Sequence, residues 1–208
     1  MSEPGAEDIS RARVPHSTTV NLALQAQKLD FESCTLLCER LTPALLAWAR
    51  LRVPKGSWKP IEPEDVVQEV WLRALTRLET FDPNKGTFRM WMFGIAGRAL
   101  LDLLRKAVRG ASAGSDPSSE DPLSRVADDA TAVSTRLVRS EAFQVVAQRL
   151  AALDEQDRRL IIYRGLEGLP HEDVAQRLGI GLEAATKRWH RLRARLEAEG
   201  LPDELLED

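Results

Sequence analysis

Five cations crowd one short stretch near the end of the chain. Lys187, Arg188, Arg191, Arg193 and Arg195 lie between Glu183 and Glu197, with only those two glutamates to balance them. Helical periodicity puts Thr186, Lys187, His190 and Arg191 on a face turned away from Ala185 and Trp189. Side chains of these types neutralise phosphates and reach donor and acceptor groups on base edges. The whole run, HEDVAQRLGIGLEAATKRWHRLRARL, reads as helix, Gly-containing turn, basic helix. That is the layout of a helix-turn-helix, whose second helix enters the major groove. Small Ala175 allows close approach of the two helices, and Val174, Leu178, Ile180, Ala185 and Trp189 can fix their crossing angle. A salt-bridged, solvated surface helix is the competing reading. The shortage of acidic partners and the Gly179 turn favour DNA.

Two further groupings have the right residue types for binding. Asp65, Gln68 and Glu69 of DVVQE fall at i, i+3 and i+4, on one helix face. Taken alone, they read as an ordinary solvated face. Phe88, Arg89, Trp91, Phe93, Arg98, Arg105 and Lys106 interleave aromatics with cations. Single-stranded nucleic acid needs both stacking and phosphate neutralisation. Some of these side chains must also serve a helix core.

Catalytic constellations are missing from the sequence. HEDVA begins like the zinc-protease pattern H-E-x-x-H, but Ala175 stands where the second ligand would be. There is no Ser-His-Asp signature, no phosphate-binding Gly loop and no Cys–His cluster. We therefore expect no enzyme activity, no catalytic residue, no metal and no cofactor. Cys34 and Cys38 share a helix face, but zinc would need about four ligands. They read as small buried residues rather than redox or metal groups.

The elements that must hold these groups are helical. No sustained period-2 alternation occurs, whereas apolar residues recur at helical spacing. Residues 1–27 read as a mobile tail. A first block, 28–108, opens with FESCTLLCERLTPALLAWARLRV, with a possible kink at Pro43. Next comes PEDVVQEVWLRALTRL, with Pro63 at the first helical position and Glu64 and Asp65 at the positive end of the dipole. Its buried stripe is Val67, Val70, Trp71, Ala74 and Leu78. After the turn FDPNKGT, with Thr87 as N-cap, FRMWMFGIAGRALLDLLRK is helical by period. Gly94 and Gly97 each cost ~1 kcal/mol there, so a break near Gly97 is expected.

GASAGSDPSSEDP, Gly110 to Pro122, is a linker by composition and runs on to about residue 135. From Ser115 to Asp129 it holds Asp116, Glu120, Asp121, Asp128 and Asp129 against Arg125. The second block, 136–199, reads as four helices. They cover about 139–153, about 155–164 (capped by Asp154 and ended by Gly165 or Gly168), 170–178 with Pro170 at its first position, and about 182–198. Residues 200–208 form an acidic tail. The fold class is thus all-α, with two small helical domains joined by a flexible acidic linker.

Composition agrees with a folded protein: 43% of the 208 residues are apolar, enough to bury a core. The net charge of −3 hides the basic helix behind acidic segments. Apolar runs such as Ala44–Ala49 fall far short of the ~18 residues of a membrane span. The N-terminus is acidic and polar rather than a secretory signal. A cytoplasmic protein without membrane insertion is expected.

Taken together, these segments resemble the extracytoplasmic-function (ECF) group of sigma-70 family RNA polymerase sigma factors. DVVQE is similar to the group's D-[LV]-V-Q-[ED] stretch. FDPNKGTFRMWMFGIAGRALLDLLR resembles its aromatic-rich segment, and LAALDEQDRRLIIYRGLEGLPHEDVAQRLGI its second conserved pattern. The resemblance spans nearly all of residues 29–197 and implies a sigma2-like bundle and a sigma4-like helix-turn-helix. It implies that Asp65, Gln68 and Glu69 bind core RNA polymerase. Phe88, Trp91, Arg98 and Arg105 would hold the unwound −10 element of promoter DNA. Thr186, Lys187, Arg188, His190 and Arg191 would read the −35 element. An anti-sigma factor is a further partner that many relatives have.

Three positions depart from the family pattern. Arg98 stands where Asn is common, Pro170 replaces the usual capping Ser, and Glu183-Ala184-Ala185 replaces Gly-Thr-Val. A stand-alone helix-turn-helix regulator is the alternative reading, but it leaves DVVQE and the aromatic run without a task.

Overall fold

The computed structural model describes residues 18–54, 61–109, 122–202 and 205–206. They form helices α1 (Thr19–Ala26), α2 (Phe31–Arg52), α3 (Pro63–Thr76), α4 (Phe88–Arg109), α5 (Pro122–Arg139), α6 (Glu141–Ala152), α7 (Glu155–Leu160), α8 (His171–Leu178) and α9 (Leu182–Ala198). A 3-10 turn, Leu78–Thr80, follows α3, and a π-helical turn, Ile161–Leu166, prolongs α7. No strand occurs among the described residues, as the apolar periodicity required. Among them too, no helix is long and apolar enough to cross a membrane.

The first unit is built around α2. Its Leu37, Leu41, Leu45 and Trp48 are buried at helical spacing, and the helix passes Pro43 without ending. Buried Val66, Val67, Val70, Trp71 and Ala74 form the inner stripe of α3. The Trp71 indole N–H donates to Thr42 Oγ1 at 3.1 Å, satisfying a donor that would otherwise be costly in the core. Thr87 caps α4 as its position predicts: its Oγ1 accepts from Met90 N at 3.2 Å.

The expected break at Gly97 does not occur, and α4 runs unbroken through Gly94 and Gly97. Met92, Phe93, Ile95, Ala96 and Ala99 are all buried on its inner side. Burying them stabilises the helix by more than two glycines cost.

The tail boundaries also need correction. Residues 19–26 belong to α1, capped by Thr18, with Leu22, Ala23 and Ala26 in the core. Gln27 Nε2 then donates to the carbonyls of Leu78 and Phe81 at 2.9 and 2.8 Å, tying α1 to the turn before α4. The linker was expected to run to about residue 135, but Pro122–Arg139 is helical and packs on α2 and α3. Ala130 and Ser134 are fully buried there. Gly110–Asp121, the core of that expected linker, lies outside the described residues. At the other end, Leu201, Leu205 and Leu206 of the expected acidic tail are buried. Periodicity could not find them, because only three leucines spaced around a turn carry the contact.

In the second unit, Ser140 caps α6 through Phe143 N, and Asp154 caps α7 through Asp157 N at 2.8 Å. The first of these helices therefore starts two residues later than the 139 expected, where a serine could satisfy the end. Pro170 precedes α8 as its N-cap rather than filling the first helical position.

Gly165 sits inside the π turn, and a Cβ there would lie 2.8 Å from Leu206 and 2.9 Å from Trp189. Its bare backbone lets the C-terminal leucine and the α9 tryptophan meet. Gly165→Ala is therefore expected to destabilise the protein by about 1–3 kcal/mol through overpacking. The thermal midpoint, followed by circular dichroism, should fall by roughly 2–4 °C for each kcal/mol. An unchanged midpoint would show that Leu206 and Trp189 can move aside.

Candidate nucleic-acid and protein-binding faces

The geometry of α8 and α9 follows from local chemistry. Gly179 takes φ +67°, a left-handed conformation open to glycine. Ile180 N donates to Ala175 O at 3.1 Å and Gly179 N to Gln176 O at 3.2 Å. These two bonds are the Schellman pattern that closes a helix and turns the chain sharply. Gly181 then starts α9 from an extended conformation. Buried Val174 and Ala175 on α8 face buried Ala185, Trp189 and Leu192 on α9, which fixes the crossing.

Lys187, His190 and Arg191 are exposed on the outward face of α9, with Thr186 half-buried beside them. Thr186 Oγ1 donates to Leu182 O at 3.0 Å, within its own helix. Lys187 forms an exposed i,i+4 pair with Glu183 at 2.6 Å. Such pairs are weak in water and readily exchanged for a phosphate. His190 lies 6.3 Å from His171, ring centre to ring centre. The His171 imidazole is held below its ordinary pKa, chiefly by burial, then by Arg164 and His190.

Arg188 has turned the other way. Its Nε donates to Asp157 Oδ1 at 2.6 Å, and its other nitrogens reach Asp154 and Gln156. Arg195 grips the second oxygen of Asp157 at 2.9 Å. Asp157 is buried, so these two arginines supply the counter-charge it requires. The pair braces α9 against α7. The family resemblance counted Arg188 among the DNA-reading residues, whereas the structure gives it to α7.

On α3, Asp65 is exposed and Gln68 and Glu69 are half-buried on the outward side. Glu69 Oε1 accepts from Arg73 Nε at 2.7 Å. Arg73 also reaches Asp102 of α4 at 2.8 Å, which with Arg105 holds the Asp102 carboxyl below its usual pKa. Leu72 is 38% exposed within this polar face. A leucine out of register with the buried stripe was the signal that could have marked it.

The aromatic run divides. Phe88 is 1% exposed and meets Phe81 edge-on at 5.0 Å and Trp91 at 5.2 Å. In this arrangement Phe88 is a core residue that supports Trp91, which remains half-buried at the surface. Arg98 and Arg105 are exposed along α4 with Leu101 between them, 53% exposed. Arg89, by contrast, is 3% exposed and directed at the second unit. Among the described residues, no group of three or more His, Cys, Asp or Glu could hold a metal ion. Cys34 and Cys38 are both buried. Burial pushes the Cys34 thiol up, with Asp30 adding to the effect.

Comparison with known proteins agrees with this layout. The family model for sigma-70 region 2 matches residues 37–110, which hold most of α2, all of α3 and all of α4. The model for sigma-70 region 4 matches residues 143–196, from α6 to α9. The ECF RNA polymerase sigma factor ShbA of Streptomyces griseus is 33% identical over 135 residues, covering 65% of this chain and 70% of that protein. The RNA polymerase sigma factor CnrH of Cupriavidus metallidurans is 31% identical over 137 residues, covering 65% and 71%. The ECF sigma factor SigD of Mycobacterium tuberculosis is 26% identical over 209 residues, covering 96% of each chain. A solved structure of CnrH in complex with the cytosolic domain of CnrY matches 85% of this chain and 93% of that one, at 28% identity and a TM-score of 0.42. The chain belongs to the ECF group of the sigma-70 family: it is a transcription initiation factor that directs RNA polymerase to promoters.

Proposed function

We propose that the work is divided among three faces, in two units, one built from α1–α5 and the other from α6–α9 with the buried leucines that follow it. The outward face of α9, with Thr186, Lys187, His190 and Arg191, reads duplex DNA at the −35 element. Arg188 serves there as a brace rather than a direct contact. The α3 face, with Asp65, Gln68, Glu69 and Leu72, binds core polymerase. The α4 face, with Trp91, Arg98, Leu101 and Arg105, holds the opened −10 element, and Phe88 stiffens the aromatic platform from within. The factor acts by binding, in the cytoplasm, with no catalytic step of its own. Base stacking and phosphate contacts favour the unpaired strand and so support melting. Family membership alone adds a protein inhibitor of the anti-sigma kind as a further partner.

The observation that carries this reading is the outward basic face of α9 on a Schellman-closed helix pair. It presents cations where a major groove can receive them. Glu183 lies next to that face, so its pairing with Lys187 must open when phosphate binds. This places a specific burden on Arg191, which is exposed and free of that neighbour.

Arg191→Ala is expected to weaken promoter-specific transcription by about 1–3 kcal/mol, roughly five- to 150-fold, and to flatten its salt dependence. Core-polymerase binding in a pull-down should stay at wild-type strength. Equal loss of both would contradict the assignment. Glu69→Lys should do the reverse, abolishing retention of core polymerase while helix content stays unchanged. Glu69→Gln should be milder, because it removes the charge without reversing it. Normal retention by Glu69→Lys would remove α3 from the polymerase contact.

A further inference from the structure

We propose that Gln27 is a positioning residue for strand capture: its side-chain amide clamps the turn before α4 and, through Phe81, sets the plane of the Trp91 ring. This role rests on the reading, given above, that Trp91 meets the opened −10 strand.

Gln27 ends α1 as its C-cap, and that helix is fixed to the core by buried Leu22, Ala23 and Ala26. The Gln27 amide nitrogen carries two hydrogens, and each finds a carbonyl. Leu78 O accepts at 2.9 Å and Phe81 O at 2.8 Å, from partners 51 and 54 residues further along the chain. The bonds inside the turn are local. Phe81 N donates to Leu78 O at 3.1 Å, Lys85 N to Asp82 O at 3.0 Å and Asn84 N to Asp82 Oδ1 at 3.0 Å. Local bonds shape a turn, whereas a long-range bond fixes where it sits. Leu29, two residues after Gln27, has φ +64°, a left-handed conformation that residues other than glycine rarely adopt. It is 72% exposed, so burial of its own side chain does not hold it there. Such strain persists where the surroundings over-determine the backbone, and it clusters at functional positions.

Phe81 transmits the clamp. Its carbonyl is held by Gln27, and its buried ring meets Phe88 edge-on at 5.0 Å and Trp91 at 5.9 Å. Phe88 and Trp91 both ride on α4, whereas Phe81 comes from the turn before it. A shift of Phe81 therefore changes the surface against which Trp91 rests. A ring already held in the plane that a base needs binds more tightly, because ordering a mobile ring subtracts from affinity. Gln27 also lies ahead of the segment, 37–110, that carries the family likeness.

The test uses the full chain assembled with core polymerase and a forked fragment of a promoter that it transcribes. Gln27→Met keeps the length of the side chain and removes both donors. It should weaken binding of the fork about tenfold, within the worth of one stacked base, and lower permanganate reactivity of the −10 thymines. Core polymerase should be retained at wild-type strength. Gln27→Lys, whose ammonium can donate to both carbonyls, should keep most of the wild-type affinity. Leu22→Ala loosens the same helix with the amide left in place. It should cost more thermal stability than Gln27→Met, yet bind the fork nearly as wild type does.

Wild-type binding by Gln27→Met, or equal weakening by Leu22→Ala, overturns the clamp and leaves Gln27 a stabiliser of α1. So does a Gln27→Lys as weak as Gln27→Met. If Leu22→Ala does not fold, the contrast between Gln27→Met and Gln27→Lys decides. Trp91→Ala keeps the premise separate. Should it bind the fork normally, the strand-contact reading of Trp91 fails; a weak Trp91→Ala beside a normal Gln27→Met sinks the clamp alone.

Discussion

Trp48 is the residue on which the architecture turns. It is 1% exposed near the C-terminal end of α2, and Phe93 of α4 packs against it at 5.8 Å. Its indole N–H, which a core must satisfy, is satisfied from the other unit by Glu167. Burial of the ring holds α2 to α4, and the polar edge holds the first unit to the second. The carboxylate that accepts this bond also recruits Arg52. A buried charge is tolerable only with such partners, so Trp48, Arg52 and Glu167 form a set in which each justifies the others.

The same economy governs the DNA-reading helix. Asp157 could not remain buried alone, and Arg188 and Arg195 answer its charge from one side of α9. That commitment leaves Lys187, His190 and Arg191 facing solvent. Of the cations in one stretch of sequence, some orient the helix and others are left for ligand. A net charge of −3 is compatible with nucleic-acid binding because the acids are spent elsewhere, on caps, braces and surface pairs.

The α4 helix joins structure to function most directly. Its inner face is core, its first turn carries Arg89 into the second unit, and its outer face presents Arg98, Leu101 and Arg105. Fold stability and the proposed strand contact therefore draw on one helix. Gly94 and Gly97 survive within it because packing on the inner face compensates for their flexibility.

Much was legible in the sequence: the helical class, the Pro63 and Thr87 starts, the Asp154 cap, the Gly179 turn, the buried stripe of α3 and the outward basic face of α9. Each of these is fixed by interactions within a few residues, namely backbone geometry, capping and helical periodicity, so spacing alone reveals them. What only the tertiary structure decided concerns partners distant in sequence. Arg89 meeting Leu205, Trp48 meeting Glu167, Arg188 turning to Asp157, Phe88 withdrawing into the core and α5 folding onto α2 and α3 all depend on which surfaces meet. Periodicity says that a side chain leaves a helix on a given side. It does not say what waits there, because that is set by burial and charge compensation across the whole chain.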